Sequence, residues 1–270
     1  EGLNYRITGH GYNPKGEIFD ESGQIMSSGN LGERKILFLA GFLSSTGTVN
    51  PPDEFHQDFY ALGDPTEAAF ATLLMKAGFE PAVIAADYPR LRLFPFDSER
   101  KRISIVREHN GRRISFVKGS IESLLPLCNR HRVQGKEEEL TAKEREELLA
   151  VSRAYSAQSL RVIALAYRDL PDGEDISQQA AERDLVCSGF VTMVDPPRAE
   201  VKTAVQAAHS AGIRTVMITG DHAATARSIA IEIGMQHDLD RPIEVINRDS
   251  LKAMDAERLT EALAQRSVIF

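Results

Sequence analysis

Two short polar segments stand where predicted strands meet the helices that follow them. Thr219-Gly220-Asp221 ends one strand, and Asp195-Pro196-Pro197-Arg198 holds the equivalent position one strand earlier. A glycine lets the backbone approach a phosphate, and the amides that open a helix bind anions. Each segment alone is also explained by a helix cap with first-turn prolines. Because neighbouring parallel strands end on the same sheet edge, the two together favour a phosphate site.

A second candidate group combines one aromatic ring with cations. Phe96 is followed by three of them: Arg100, Lys101 and Arg102. Such a composition can stack a base and neutralise phosphates. Three adjacent cations are costly in a core, so the alternative is an ordinary surface turn.

Three further charged residues have simple structural explanations. Lys118 ends a predicted strand before Gly119 and could lie beside a phosphate, but a solvated strand end explains it as well. Arg161 precedes the apolar run 162–166, where a strand-edge charge can reach solvent. Glu67 is the third residue of a predicted helix, and its carboxylate can cap that helix. Taken singly, none of them predicts a site.

Other chemistry finds no support in the residues. The sequence has no Gly-x-x-x-x-Gly-Lys-Ser/Thr loop, no Gly-x-Gly-x-x-Gly after a strand and no Gly-x-Ser-x-Gly elbow. Cys128 and His131 have no second Cys/His pair at zinc spacing, so we predict no structural zinc. We interpret them as a core cysteine and a surface histidine.

The composition predicts a folded, soluble chain. Its 270 residues are 42% hydrophobic and 26% charged, which suits one large domain or two. A net charge of −7 provides no general attraction to nucleic acid or anionic membranes. Two cysteines suit a reducing compartment, and neither a membrane-spanning run nor a signal segment is present, so we predict a cytoplasmic location.

The elements before Leu185 predict an α+β domain, residues 1–185. Strand-like segments at 91–96, 102–106 and 113–118 indicate an antiparallel sheet. Asn110-Gly111 is typical of the tight turn of a hairpin. Asp64-Pro65-Thr66-Glu67 predicts the start of a helix that Gly78 ends.

The pattern changes in residues 186–270. From the strand Gly189 to Val194 onward, strands alternate with helices, which predicts parallel βαβ units. Because the chain stops on a strand, we expect this second domain to be incomplete.

Taken in order, the segments resemble the cytoplasmic catalytic region of P-type (E1-E2) cation-transporting ATPases, and the stretch Gly11 to Gly16 is most similar to the calcium-pump branch. The matching segments are Gly63-Asp64-Pro65-Thr66-Glu67, Phe96-Asp97-Ser98-Glu99-Arg100-Lys101, Phe116-Val117-Lys118-Gly119, Leu160-Arg161-Val162-Ile163-Ala164, Asp195-Pro196-Pro197-Arg198 and Thr219-Gly220-Asp221. The resemblance implies an antiparallel-sheet nucleotide-binding domain followed by a partial haloacid-dehalogenase-like (Rossmann-type) parallel-sheet phosphorylation domain.

The resemblance also implies site residues. In the first domain, Phe96 would stack on the adenine of ATP, Glu67 would reach the adenine edge and Arg161 would meet the phosphates. The other implied ATP-binding residues are Lys101, Lys118, Gly119 and Ile163. In the second domain, the residues implied to act on the transferring phosphoryl group with Mg²⁺ are Asp195, Thr219, Gly220 and Asp221. Closure of one domain on the other would bring the phosphoryl group to its acceptor.

Two family motifs are missing from the sequence. They are Asp-Lys-Thr-Gly-Thr, whose aspartate is phosphorylated, and Gly-Asp-Gly-x-Asn-Asp, which completes the Mg²⁺ site. Without the nucleophile no aspartyl-phosphate can form, so we expect weak ATP binding and no turnover. The expected partners are the transmembrane and actuator domains of a membrane-embedded parent pump.

Two alternatives remain open. A soluble haloacid-dehalogenase-type phosphatase with a large cap domain would need an Asp-x-Asp motif, and none precedes a βαβ unit in the sequence. A nucleotide-binding regulatory module without chemistry of its own would use the same binding residues.

Overall fold

The computed structural model describes residues 3–133, 135–158, 160–194, 197, 199–219, 223–236, 243–264 and 267–269. The chain divides into two compact units. The first comprises residues 1–152 and 162–192, and the second comprises 153–161 and 193–270. The domain boundary at Leu185 stays a prediction.

The described α-helices are α1 Lys35–Leu43, α2 Pro65–Lys76, α3 Pro81–Asp87, α4 Ile121–Leu124, α5 Ala142–Ser156, α6 Gln178–Ala181, α7 Ala199–Ser210, α8 Ala223–Glu232, α9 Arg248–Ala253 and α10 Ala256–Ala264, and short 3-10 helices span Gly32–Arg34 and Leu125–Leu127. The described strands are β1 Arg6–Ile7, β2 Ile18–Phe19, β3 Ile25–Met26, β4 Thr48–Asn50, β5 Tyr60–Leu62, β6 Arg90–Asp97, β7 Arg102–His109, β8 Arg112–Gly119, β9 Cys128–Val133, β10 Lys136–Glu139, β11 Arg161–Leu170, β12 Leu185–Met193, β13 Thr215–Met217, β14 Glu244–Val245 and β15 Ser267–Ile269. No single described helix is long and apolar enough to cross a membrane, and α2 with α3, bent by 100°, passes that test only as a pair.

A large mixed sheet organises the first unit. Its described strands lie in the order β10-β9-β12-β11-β8-β7-β6. Strands β6, β7 and β8 pair antiparallel, as predicted. Strand β11 also pairs antiparallel with β8, whereas β12 pairs parallel to β9. The predicted strand Gly189 to Val194 therefore belongs to a strand of this sheet, and the prediction that it opens a separate run of parallel strands is wrong.

The turn between β7 and β8 forms as the sequence predicts. Asn110 has φ 50° and Gly111 has φ 76°. Both values lie in the left-handed region, which asparagine and glycine tolerate best. This turn sets the register in which Ile103 lies opposite Lys118 and Arg102 opposite Gly119.

Each face of the sheet is covered by helices. Directly opposite residues share a face, so Ile103 and Lys118 lie on the same side, towards α1. On the other side, Val117 and Ala164 belong to the core that includes Ile121 of α4. Because both faces of the central strands are buried, a charged residue on them needs a partner.

Helix α2 begins and ends as predicted. The carboxylate of Asp64 accepts a hydrogen bond from the amide of Glu67 at 3.0 Å, and Pro65 lies in the first turn. Gly78 follows the helix with φ 81°. A Cβ on Gly41 of α1 would lie 2.4 Å from the ring of Phe70, so a glycine is required where α1 and α2 meet.

The second unit contains a small parallel sheet. Strand β15 pairs parallel with both β13 and β14. Its core includes Ala226 and Ala230 of α8 and Ile243. Gly212 and Gly234 follow α7 and α8 with φ 76° and 78°, as predicted. The parallel pairing is confirmed for these strands.

Candidate functional site

The end of β8 brings together candidate residues that are distant in the chain. Lys118 contacts Glu67 at the start of α2, with Nζ 3.1 Å from Oε1. Its neighbour Gly119 lies against the backbone of Lys101, in the turn that follows Phe96. Lys118 and Gly119, which are adjacent in β8, therefore connect Glu67 of α2 with the turn after Phe96.

Lys118 is held inside the protein. Only 5% of its surface is exposed, against 8% for Glu67. Its ammonium also donates to the carbonyl of Ser44 at 2.8 Å and to the hydroxyl of Ser45 at 2.7 Å. With Glu67 these acceptors take up all three ammonium protons. The interpretation of Lys118 as a solvated strand end is therefore wrong.

The second oxygen of Glu67 organises the loop before β4. Oε2 accepts from the amide and hydroxyl of Thr46 at 2.6 and 2.7 Å, and from the amide of Gly47 at 3.1 Å. A Cβ on Gly47 would lie 2.8 Å from the amide nitrogen of Ala68, so only glycine fits there. The side chain of Asp64 caps α2, whereas the carboxylate of Glu67 binds Thr46, Gly47 and Lys118, so the expectation that this carboxylate caps the helix is wrong.

A second buried cation lies on the same face of the sheet. Arg107 donates from Nε to the carbonyl of Leu43 at 2.8 Å, and Lys118 donates to the next carbonyl, that of Ser44. Both bonds satisfy carbonyls at the C-terminus of α1, where the helix dipole favours positive charge. The sequence analysis missed Arg107, although its two-residue spacing from Ile105 places it on the buried face.

The pair remains ionised at neutral pH. Burial lowers the pKa of Lys118 to about 8, and the charge of Glu67 opposes this shift. Burial raises the pKa of Glu67, but the charge of Lys118 and the hydrogen bonds from Thr46 outweigh it and hold that pKa below its ordinary value of 4.5. Each charge therefore stabilises the other within a buried site.

Acid should weaken the contribution of Glu67 to stability. Its pKa is lower in the folded chain than in the unfolded one, so the linked stabilisation is complete above pH 4.5 and is lost as the pH falls through the folded value. We expect the difference in free energy of unfolding between wild type and Glu67→Gln to shrink on acidification. Urea titrations from about pH 7 to about pH 3 measure it, and a constant difference would contradict an ionised Glu67.

The end of β6, directly before a turn, presents an aromatic ring to solvent. Phe96 is 63% exposed. The turn closes through the amide of Lys101, which donates to the carbonyl of Asp97 at 2.7 Å, and Lys101 itself has φ 52°. A Cβ on Gly119 would lie 2.5 Å from the carbonyl oxygen of Lys101, so this close approach requires glycine.

Two of the three cations in this turn are bound within the protein. Arg100 and Arg102 both form ion pairs with the carboxylate of Glu182, at 2.7 Å for Arg102 Nε. The prediction of three cations available to phosphates is therefore corrected to the exposed Lys101. The sequence analysis missed Glu182, since nothing local relates it to residues 80 positions earlier.

The other predicted residues fall in several places. Ile163 is half-buried in β11, directly before Ala164, which pairs with Gly119. Arg161 is exposed at the first residue of β11 and falls in the second unit. Thr219 is half-buried, two residues after β13. Three predicted residues lie outside the described part of the chain: Asp195, Gly220 and Asp221. In the part that is described, no group of three or more His, Cys, Asp or Glu side chains could hold a metal ion.

Comparison with known proteins gives one family. A family model described as the P-type ATPase cytoplasmic domain N matches residues 35–200. That range contains every candidate residue of the first unit described above, from Glu67 to Glu182.

Curated relatives carry the similarity further along the chain. A calcium-transporting ATPase 1 of Lactococcus lactis is 38% identical over 214 residues, which are 79% of this chain and 24% of the relative. A calcium-transporting ATPase of Bacillus subtilis is 32% identical over 263 residues, 97% of this chain and 29% of the relative. A cation-transporting ATPase of Synechocystis is 34% identical, with shares of 88% and 26%. The chain thus spans between 24% and 29% of the length of these relatives.

Proposed function

From the premise that this chain belongs to the P-type ATPases and contains their cytoplasmic domain N, we propose that its first unit binds ATP at the end of β8. The observation that carries the proposal is the exposed ring of Phe96 near the end of β6, beside an ordered turn. Burying such a ring against a ligand recovers apolar surface without the cost of ordering a loop.

The residues around β8 have distinct roles in this proposal. The purine stacks on Phe96, and the ammonium of Lys101 neutralises phosphate charge. Glu67 and Lys118 form the buried ionic support behind the site, since the ammonium of Lys118 has no proton left for a nucleotide. Gly119 has no Cβ and therefore leaves room for the carbonyl of Lys101. The roles of Arg161 at the phosphates and of Ile163 in the pocket are retained from the family resemblance.

For the second unit we propose a partial phosphorylation domain of haloacid-dehalogenase-like fold. The parallel pairing of β13, β15 and β14 supports this. The residues assigned to the phosphoryl group and Mg²⁺ would be Asp195, Thr219, Gly220 and Asp221. The residues that the structure describes provide no metal-binding cluster for the ion.

The parent protein would be a membrane-embedded pump that couples ATP hydrolysis to cation transport. Relatives from Lactococcus lactis and Bacillus subtilis are named calcium-transporting, which favours calcium as the cargo. The region would lie on the cytoplasmic side, with the transmembrane and actuator domains as partners. Because the sequence lacks Asp-Lys-Thr-Gly-Thr, this chain alone would bind ATP without hydrolysing it.

Phe96→Ala should weaken nucleotide binding. Loss of a base-stacking ring costs about 1–3 kcal/mol, or about 5- to 150-fold in affinity. Isothermal titration of the chain with a non-hydrolysable ATP analogue measures the change. A parallel titration with ATP, recovered intact at the end, checks the absence of turnover.

The matched control is Phe55→Ala. Phe55 is 87% exposed in the loop between β4 and β5, so this variant also removes an exposed phenylalanine. Its affinity should equal that of wild type. Equal losses in both variants would contradict a specific stack on Phe96, and no saturation of the wild type at about millimolar nucleotide would overturn the proposed function.

A further inference from the structure

We propose that Glu182 is a positioning residue for nucleotide binding, because it holds the turn that carries Lys101 and directly follows the strand end with Phe96. This inference rests on the proposed function. It concerns a residue that does not itself touch the nucleotide and acts through two arginines.

The carboxylate of Glu182 is buried and fully engaged. It is 5% exposed and follows α6 directly. Oε1 pairs with Arg100 and accepts from the hydroxyl of Ser104 at 2.6 Å. Oε2 accepts from Nε of Arg102 at 2.7 Å. One carboxylate therefore joins the start of β7 to the turn before it.

The contacts continue from Glu182 to the residue next to Phe96. The same guanidinium of Arg100 that pairs with Glu182 donates to the carbonyl of Pro95 at 2.6 Å. Arg102 donates to the carbonyl of Arg100 at 3.0 Å. Two arginines anchored on one carboxylate thus fix one main-chain carbonyl before the turn and one within it. Loss of the carboxylate would release both anchors together.

The turn needs such an anchor because its backbone is strained. Lys101 has φ 52°, which costs free energy for a residue other than glycine. From within the turn, the carboxylate of Asp97 accepts from the amides of Glu99 and Arg100 at 3.0 and 2.9 Å. Among the described residues, only Glu182 connects this turn to a distant part of the sequence through ion pairs.

Glu182 also controls which cation meets the phosphates. Glu182 pairs with Arg100 and Arg102, so their guanidinium groups are not available to the phosphates. Lys101 stays exposed and available. The position of the aromatic ring and the choice of cation therefore depend on the same buried carboxylate.

The test variant is Glu182→Gln, which keeps the shape of the side chain and removes the charge. We expect affinity for the non-hydrolysable ATP analogue to fall about tenfold, equivalent to ~1.4 kcal/mol. In a Phe96→Ala background the same change should cost clearly less than about tenfold, because the ring that Glu182 positions is gone and only the placement of Lys101 is left to lose. A purely structural role would reduce affinity equally in both backgrounds.

The matched control is Glu174→Gln. Glu174 also pairs with two arginines, Arg168 and Arg183, on another part of the unit. This variant should bind as wild type does. Arg100→Met is the second variant, and it replaces Glu182→Gln as the test if that variant fails to fold. It breaks the link to the Pro95 carbonyl and leaves Glu182 paired with Arg102, so we expect it to weaken binding as well.

The outcomes separate the two proposals. If wild type binds, Phe96→Ala weakens binding and neither Glu182→Gln nor Arg100→Met does, the role of Glu182 is overturned and the nucleotide site stands. Equal losses in the two Phe96 backgrounds also overturn it. If wild type does not bind the nucleotide, both proposals fall.

Discussion

Replacing Lys118 with methionine is expected to lower the free energy of unfolding by about 3–5 kcal/mol. The variant leaves the 8% exposed carboxylate of Glu67 without its counter-charge in a buried site. It also removes the donor to Ser44 and Ser45 at the end of α1. Urea unfolding followed by circular dichroism measures the effect at neutral pH.

A double-mutant cycle identifies the cause of this loss. Glu67→Gln in the Lys118→Met background removes the unpaired charge and leaves an amide oxygen for Thr46 and Gly47. We expect the double variant to be more stable than the sum of the two single effects by about 0.5–3 kcal/mol. Strict additivity would contradict the interaction between Glu67 and Lys118.

The control for the cycle is Lys143→Met. Lys143 pairs with Glu147 in α5, but the two side chains are 87% and 61% exposed. Solvent screens this pair, so its loss should change stability little. A loss as large as that of Lys118→Met would mean that replacing any lysine is costly, and the argument from burial would fail.

The second large effect is expected for Gly119→Ala. The new Cβ would lie 2.5 Å from the Lys101 carbonyl oxygen and 2.6 Å from Cβ of Arg102. Neither atom is the free end of a flexible side chain, so the turn must move, and such overpacking costs about 1–3 kcal/mol. Nucleotide affinity should fall as well, because the displaced turn carries Lys101 and directly follows the strand end with Phe96. Thermal unfolding and the nucleotide titration measure the two effects.

Gly29→Ala is the matched control. The nearest atom to its Cβ, the hydroxyl oxygen of Ser27, is 3.9 Å away, and no positive φ requires glycine there. Alanine at such a position usually stabilises by restricting the unfolded chain. If Gly119→Ala matched Gly29→Ala in stability and affinity, the close approach of β8 to the Lys101 turn would be contradicted.

The sequence by itself determined the features whose causes are local. Asp64 caps α2 because its carboxylate reaches an amide three residues on. Asn110 and Gly111 form a tight turn because they tolerate positive φ. The family membership also followed from the order of short motifs such as Phe116-Val117-Lys118-Gly119, and the match over residues 35–200 confirmed it.

Only the tertiary structure decided how the charged residues are used. Lys118 is buried against Glu67, and Arg100 and Arg102 are paired with Glu182. These partners lie 51 to 82 positions apart, and no local pattern specifies which charges the sheet brings together. A charged side chain on a sheet covered on both faces is stable only beside an opposite charge or a free carbonyl, and the fold decides where those lie.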